Sequence, residues 1–260
     1  MPLRLRFETL SNKIRIRLRV NIMTDQRPKR SLIMAGFVAC LAFSVPAGLM
    51  AAEEEPGAER IAKAVVVLRE MIDLPEEGLP SRILERCHGI AVIPGVIKAA
   101  YGFGGQYGRG LVVIRNEDGT WSNPAFVSLI GGSLGWQIGV QKADVVLVFK
   151  TGKSIDNIAA GKVTLGADLS VTAGPVGRSA EASTDLDMEA EIYSYSRSKG
   201  LFAGISIKGA SIQIDKDANK AFYGDAGLTS QDILYDRTLK APDVVEDLKA
   251  ALRKRTAPRI

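Results

Sequence analysis

Residues 101–111 read YGFGGQYGRGL, with glycine at five of eleven positions, and the parity of those glycines limits what the chain can fold into. Side chains alternate across a strand. The even positions are Gly102, Gly104, Gln106, Gly108 and Gly110. The odd positions, Tyr101, Phe103, Gly105, Tyr107, Arg109 and Leu111, carry the bulk. Residues 134–141 (LGWQIGVQ) repeat the pattern, with Leu134, Trp136, Ile138 and Val140 on one side and Gly135, Gln137, Gly139 and Gln141 on the other. Residues 166–174 (GADLSVTAG) give a third small, polar face. A strand with one bare face admits a second backbone or a sharp bend. Several such strands predict a strongly curved, mainly antiparallel sheet or a small barrel. They do not predict a phosphate cradle: a GxGxxG fingerprint starting at Gly102 meets Tyr107 in sixth place, and no helix follows.

Helical spacing brackets this β region. Ile61, Val65, Leu68 and Ile72 form one apolar stripe, which ends at Pro75 and Gly78. A short helix is predicted over 81–86, another over 153–160, and a last one over 242–254, with Val245, Leu248 and Leu252 on its stripe. Strands are predicted over 90–93, 99–115, 125–130, 133–149, 162–173, 190–197 and 201–214, with a hairpin turn at Asn116-Glu117-Asp118-Gly119. The fold class is α+β, the sheet flanked by N- and C-terminal helices. The domain spans 59–255, after a leader (1–52) and a linker (53–58) and before a short tail (256–260).

The net charge of +5 is unevenly distributed. Residues 1–52 hold nine Lys/Arg against two Asp/Glu, leaving 25 against 27 for the remainder. The basic excess thus belongs to the leader, and the domain has no charge signature of a nucleic-acid binder. The leader has the three parts of a secretory signal: Lys29 and Arg30, an apolar run over 32–45, then small residues offering cleavage after Ala47, Ala51 or Ala52. Met23 would open a more typical signal than Met1. A retained anchor over 31–52 is the alternative. Lipidation at Cys40 is disfavoured, because apolar residues continue beyond it. Cleavage leaves Cys87 as the single cysteine and no internal disulfide. The chain is expected to be exported, periplasmic or envelope-associated.

Candidate chemical motifs fail on specific residues. Residues 149–155 (FKTGKSI) mimic the end of a P-loop, but Leu147 stands where its first glycine belongs. A helix start capped by Ser154 is the ordinary explanation. Residues 215–226 begin like a calcium loop, yet Lys220 and Ala226 occupy the glycine and glutamate positions. Cys87 and His88 are adjacent and do not face each other as a catalytic pair must. A single histidine excludes a histidine-rich metal site. The acidic residues Asp185, Asp187, Glu189 and Glu191 read as a solvated face. No catalytic residue, metal or cofactor is expected, and a binding module is the default.

Seven blocks carry a resemblance: RCHGIAVIP, GFGGQYGRG, WSNPAFVSL, GGSLGWQIGVQ, LGADLSVTAGPVGR, SYSRSKGLFAGIS and NKAFYG, in that order. Together they resemble the SYLF domain, a family shared by bacterial envelope proteins and eukaryotic membrane-traffic proteins, over residues 61–252. The resemblance implies lipid binding, with phosphoinositides the chief ligands of eukaryotic members, and actin binding in yeast members. For an exported bacterial chain it implies anionic envelope phospholipid, held by a non-enzymatic module. The alternative is a structural or protein-interaction domain without lipid affinity. Implied head-group contacts are Arg109, Arg178, Arg197 and Lys199, cations placed beside glycines; pairing with Asp185–Glu191 or with Asp215 and Asp217 is the competing expectation. Arg60, Lys63 and Arg69 would flank a membrane-facing helix over 60–72; packing of that helix on the sheet is the competing expectation. Trp121, Trp136 and Phe202 are candidate interface anchors.

Overall fold

The computed structural model describes residues 56–73, 78–175, 190–198, 201–202 and 207–256, though not the side chains of 101–103, 133–138, 201–202 and 254–256. Glu53–Ile260 form one compact unit. Helix α1 (Gly57–Ile72) and the short α2 (Ser81–Arg86) precede two long strands, β1 (Gly89–Ile114) and β2 (Ala125–Phe149). Then come α3 (Gly152–Ala159), β3 (Lys162–Thr164), β4 (Val171–Ala173), β5 (Ile192–Ser198), β6 (Leu201–Phe202) and β7 (Ala210–Ile214). Helices α4 (Lys216–Tyr223), α5 (Ser230–Tyr235) and α6 (Val244–Thr256) complete the order.

These strands make one seven-stranded, mostly antiparallel, curled sheet, as the glycine parity predicts. β2 organises it. Along one edge β2 pairs with β1 from Gly89↔Phe149 to Val112↔Ala125. It also pairs with β5 over Asp144–Phe149 and with β7 over Val127–Gly131. Among the described residues, the one parallel strand pair is β4 with β5. The segments predicted as 90–93 and 99–115 are one strand, which carries a register shift between Ile93 and Val96 at Pro94-Gly95. Residues 125–130 and 133–149 are likewise continuous. The predicted strand over 162–173 is in fact two short strands, because a turn at Gly166 (φ +85°) interrupts it.

Alternation divides the core in two. Ile90, Val92, Leu111, Val113, Phe126, Val146 and Val148 pack beneath α1, α2 and α6. Their neighbours Ala91, Ile93, Val112, Ile114, Val127, Val145 and Leu147 face the opposite side, with Ile155 and Ile158 of α3 and Ile233 and Leu234 of α5. The α1 stripe therefore packs on protein: Ile61, Val65 and Leu68 are all buried.

Side-chain caps set two of the later helix starts. Asp215 accepts from Ala218 N–H at 3.1 Å to open α4. Thr229 and Asp232 form a reciprocal capping box on α5, which the sequence reading missed. The cap of α3 is Thr151, not Ser154, whose own N–H donates to it.

Candidate functional site

The predicted cations have very different surroundings. Arg60 is 1% exposed, pairs with Asp215 at 3.1 Å and lies 5.1 Å from the centre of the Phe126 ring. That placement corrects the expectation of a head-group contact: in the packed domain Arg60 is part of the core. Arg197 is mostly buried and pairs with Glu70 and, at 3.9 Å, Asp144. Lys63 pairs with Glu59 one helical turn away, both half exposed. Arg69 is exposed on the outer side of α1. Arg178 and Lys199 lie outside the described residues, as do Asp185, Asp187 and Glu189. Trp121 is buried, so it is no interface anchor; the side chains of Trp136 and Phe202 are not described.

Arg109 is half-buried on β1. Its Nε donates to Tyr107 Oη at 2.6 Å, and its guanidinium lies 5.9 Å from that ring. Tyr107 stands opposite Ile130 across the β1–β2 ladder. Further along the same ladder, Ile97 pairs with Lys142 and Ala99 with Val140. Among the described residues, six large apolar side chains are exposed, and four of them, Ile97, Tyr107, Ile130 and Val140, lie on this stretch. Val140 is 75% exposed and Ile97 48%. No described residue of 97–110 or 130–142 joins either core cluster. From Gly132 to Ala143 the stretch is a two-stranded ribbon between the two ends of the sheet, because β7 pairs with β2 only as far as Gly131 and β5 only from Asp144; Ile130 lies at its margin, beside Ser211 of β7.

The ribbon's charge is one-sided. Residues 95–110 and 128–143 contain Lys98, Arg109 and Lys142 and no carboxylate. Its backbone is partly bare: a Cβ at Gly132 or Gly139 would meet nothing within 4 Å. The glycines nearer the core differ. A Cβ on Gly110 would lie 2.2 Å from the Val92 carbonyl oxygen, and one on Gly108 would lie 2.8 Å from Val96. β1 therefore bends back until its two halves touch, and the glycine face is where they touch.

The adjacent Cys87 and His88 diverge, one buried and one exposed. Cys87 Sγ donates to Leu84 O at 3.2 Å, and burial pushes its pKa up to about 12, against a smaller opposing effect from Arg115. The folded thiol holds a proton that the unfolded chain releases near pH 9, so this site's contribution to stability is constant below that pH. It falls as pH rises from 9 towards 12. In residues 53–260, which contain no other cysteine, Cys87 should react with an aromatic disulfide at about pH 8 at least ~100-fold more slowly when folded than in urea. Equal rates would contradict the buried placement. Among the described residues no group of His, Cys, Asp or Glu is arranged to hold a metal ion, and no helix is long and apolar enough to cross a membrane.

The fold and ribbon together define a class: an α+β domain built on a bent glycine ribbon. Residues 130–255 match the family described as Ysc84, Las17-binding protein actin regulator. Protein YSC84 of Saccharomyces cerevisiae is 37% identical over 201 residues, covering 74% of this chain and 42% of the relative. LAS seventeen-binding protein 3, also of S. cerevisiae, is 38% identical over 183 residues (69% and 39%). The human SH3 domain-containing YSC84-like protein 1 is 33% identical over 192 residues (72% and 55%). The chain belongs to the Ysc84, or SYLF, family. It spans between 39% and 55% of the length of these relatives.

Proposed function

We propose that this chain is an exported, non-enzymatic module that docks on anionic phospholipid surfaces through the β1–β2 ribbon. One observation carries the reading: the ribbon gathers four of the six large apolar side chains exposed among the described residues with Lys98, Arg109 and Lys142, and residues 95–110 and 128–143 contain no carboxylate. Shallow apolar burial plus attraction to anionic lipid is the physical basis of interfacial binding. Tyr107 suits the interface, having an apolar ring and a polar end. The α1 helix does not serve in the packed state, since inserting it would expose its buried face and break the Arg60–Asp215 pair.

Flotation with residues 53–260 tests the proposal. Phosphatidylglycerol or cardiolipin vesicles should carry the protein up, phosphatidylcholine vesicles should not, and high salt should weaken the effect. The double variant Ile97→Asp/Val140→Asp should bind at least ~10-fold more weakly, since each aspartate adds repulsion and removes apolar contact. Its melting temperature should hold, because both side chains face solvent. A parent that never floats, or a variant that floats like the parent, overturns the reading.

A second reading, a protein-docking domain, is supported by the relatives' names, which refer to Las17 binding and actin regulation. It predicts a ribbon variant that retains its protein partner.

A further inference from the structure

The ribbon's described residues join neither core cluster, so its attachment at its two roots sets where it points. At one root β7 pairs with β2 as far as Gly131. The other root is built differently. There the β1–β2 register shifts between Ile93 and Val96. Pro94 has no N–H to give a ladder, and Gly95 takes a φ of +60°. The Gly95 N–H donates instead to the Asp144 carboxylate at 2.8 Å. A side chain, rather than the ladder, holds the bend at which β1 enters the ribbon.

That carboxylate is itself held. Asp144 stands opposite Arg197 in the β2–β5 ladder, and its other oxygen lies 3.9 Å from Arg197 Nη2. The same nitrogen pairs with Glu70, in the last turn of α1. One residue on, Ser198 Oγ donates to the Lys142 carbonyl oxygen at 2.9 Å. Arg197 is mostly buried, so its pairing is screened less than that of a surface cation. Both of its counter-charges belong to the domain, which makes it a poor head-group contact. Its position instead joins three elements at one point: the ribbon root, β5 and the end of α1.

We propose that Arg197 is the positioning residue of the ribbon: by fixing Asp144 it holds the Pro94-Gly95 bend, and by pairing with Glu70 it ties the ribbon's pose to the seating of α1. Loss of its charge would leave Glu70 and Asp144 without the cation they share. Asp144 would then turn to water, and the Gly95 N–H would lose its acceptor. The bend would loosen locally while the strands on either side keep their ladders and their core contacts. The step from pose to docking rests on the membrane reading above; the step from Arg197 to the pose does not.

Hydrogen exchange read by mass spectrometry on residues 53–260 tests the positioning, and flotation on phosphatidylglycerol vesicles tests its consequence. Arg197→Met should speed exchange of protected amides in 96–106 and 131–143 by ~10-fold or more, because opening the bend no longer breaks a charge-assisted bond. Amides of 111–114 and 145–149 should exchange as in the parent. Flotation should weaken by ~3-fold or more. Arg197→Lys should recover much of both losses, because one nitrogen makes both contacts and an ammonium can imitate it. Asp144→Asn keeps an acceptor for Gly95 and should fall between the parent and Asp144→Ala. Glu70→Gln should also speed ribbon exchange; parental exchange in that variant overturns the tie to α1. A rise spread evenly over the sheet would make Arg197 an ordinary stabiliser, and an unchanged ribbon would leave it no part in the pose; either overturns the proposal. A loosened ribbon that floats like the parent overturns the step to docking. If the parent never floats, the membrane reading fails while the exchange result still decides the positioning. Ile97→Asp/Val140→Asp should show the reverse split, lost flotation with a ribbon protected as in the parent.

Discussion

Gly110→Ala should destabilise the domain by about 3 kcal/mol or more, the upper range for forcing extra volume into a filled site. The added methyl would lie 2.2 Å from the Val92 carbonyl oxygen and 2.8 Å from the Ile93 Cα. Both are backbone atoms, so no rotamer change relieves the clash. Only separation of the two halves of β1 would make room. That would disturb Ile90, Val92, Leu111 and Val113 in one core cluster and Ile93 and Val112 in the other. Gly132→Ala supplies the contrast, because the same methyl meets nothing within 4 Å. Its effect should be within ~0.5 kcal/mol, or slightly stabilising through the unfolded chain. Urea unfolding of both variants decides the matter. At this size the Gly110→Ala loss corresponds to roughly 6–12 °C in melting temperature. Equal behaviour of the two variants would mean that β1 does not bend as described.

The same comparison shows what the sequence could reveal. Parity alone exposed a bare face at Gly108 and Gly110 and the reason for it, since only a close backbone approach makes a run of glycines in a strand worthwhile. The stripe of Ile61, Val65 and Leu68 correctly marked the buried side of α1. What parity could not reveal is that Gly132 and Gly139, unlike Gly108 and Gly110, border open space. A long strand pair reads alike along its length; which part is covered depends on where β5 and β7 join β2, a tertiary fact. Lys98, Lys142, Ile97 and Val140 were missed as site residues for that reason. One signal was available, the absence of any carboxylate from 89 to 115 and from 125 to 143. Arg60 misled the reading, because a charged residue at a helix start normally faces water and its partner lies 155 positions away.

That buried pair gives the last large effect, and it should be asymmetric. Arg60 is 1% exposed while the Asp215 side chain is 17% exposed. Arg60 Nε and Nη2 are buried without hydrogen-bond partners, so Asp215 is the guanidinium's one counter-charge among the described residues. Removing Asp215 leaves a buried cation unpaired, which costs about 3–5 kcal/mol. Asp215→Ala also removes the cap of α4, adding about 1 kcal/mol. Arg60→Leu removes the charge together with its unpartnered N–H groups and keeps an apolar stem against Phe126. Asp215 then remains a cap near solvent, so this variant should lose about 1–2 kcal/mol at most. The expected order of loss is Asp215→Ala, then Asp215→Asn, then Arg60→Leu. In the Arg60→Leu background, Asp215→Asn should cost far less than it does alone, because no buried cation is left behind. Urea midpoints for the three single variants and the double variant test the order. If Arg60→Leu proves as damaging as Asp215→Ala, the guanidinium is a net stabiliser of the core, and the unpartnered N–H groups carry no penalty.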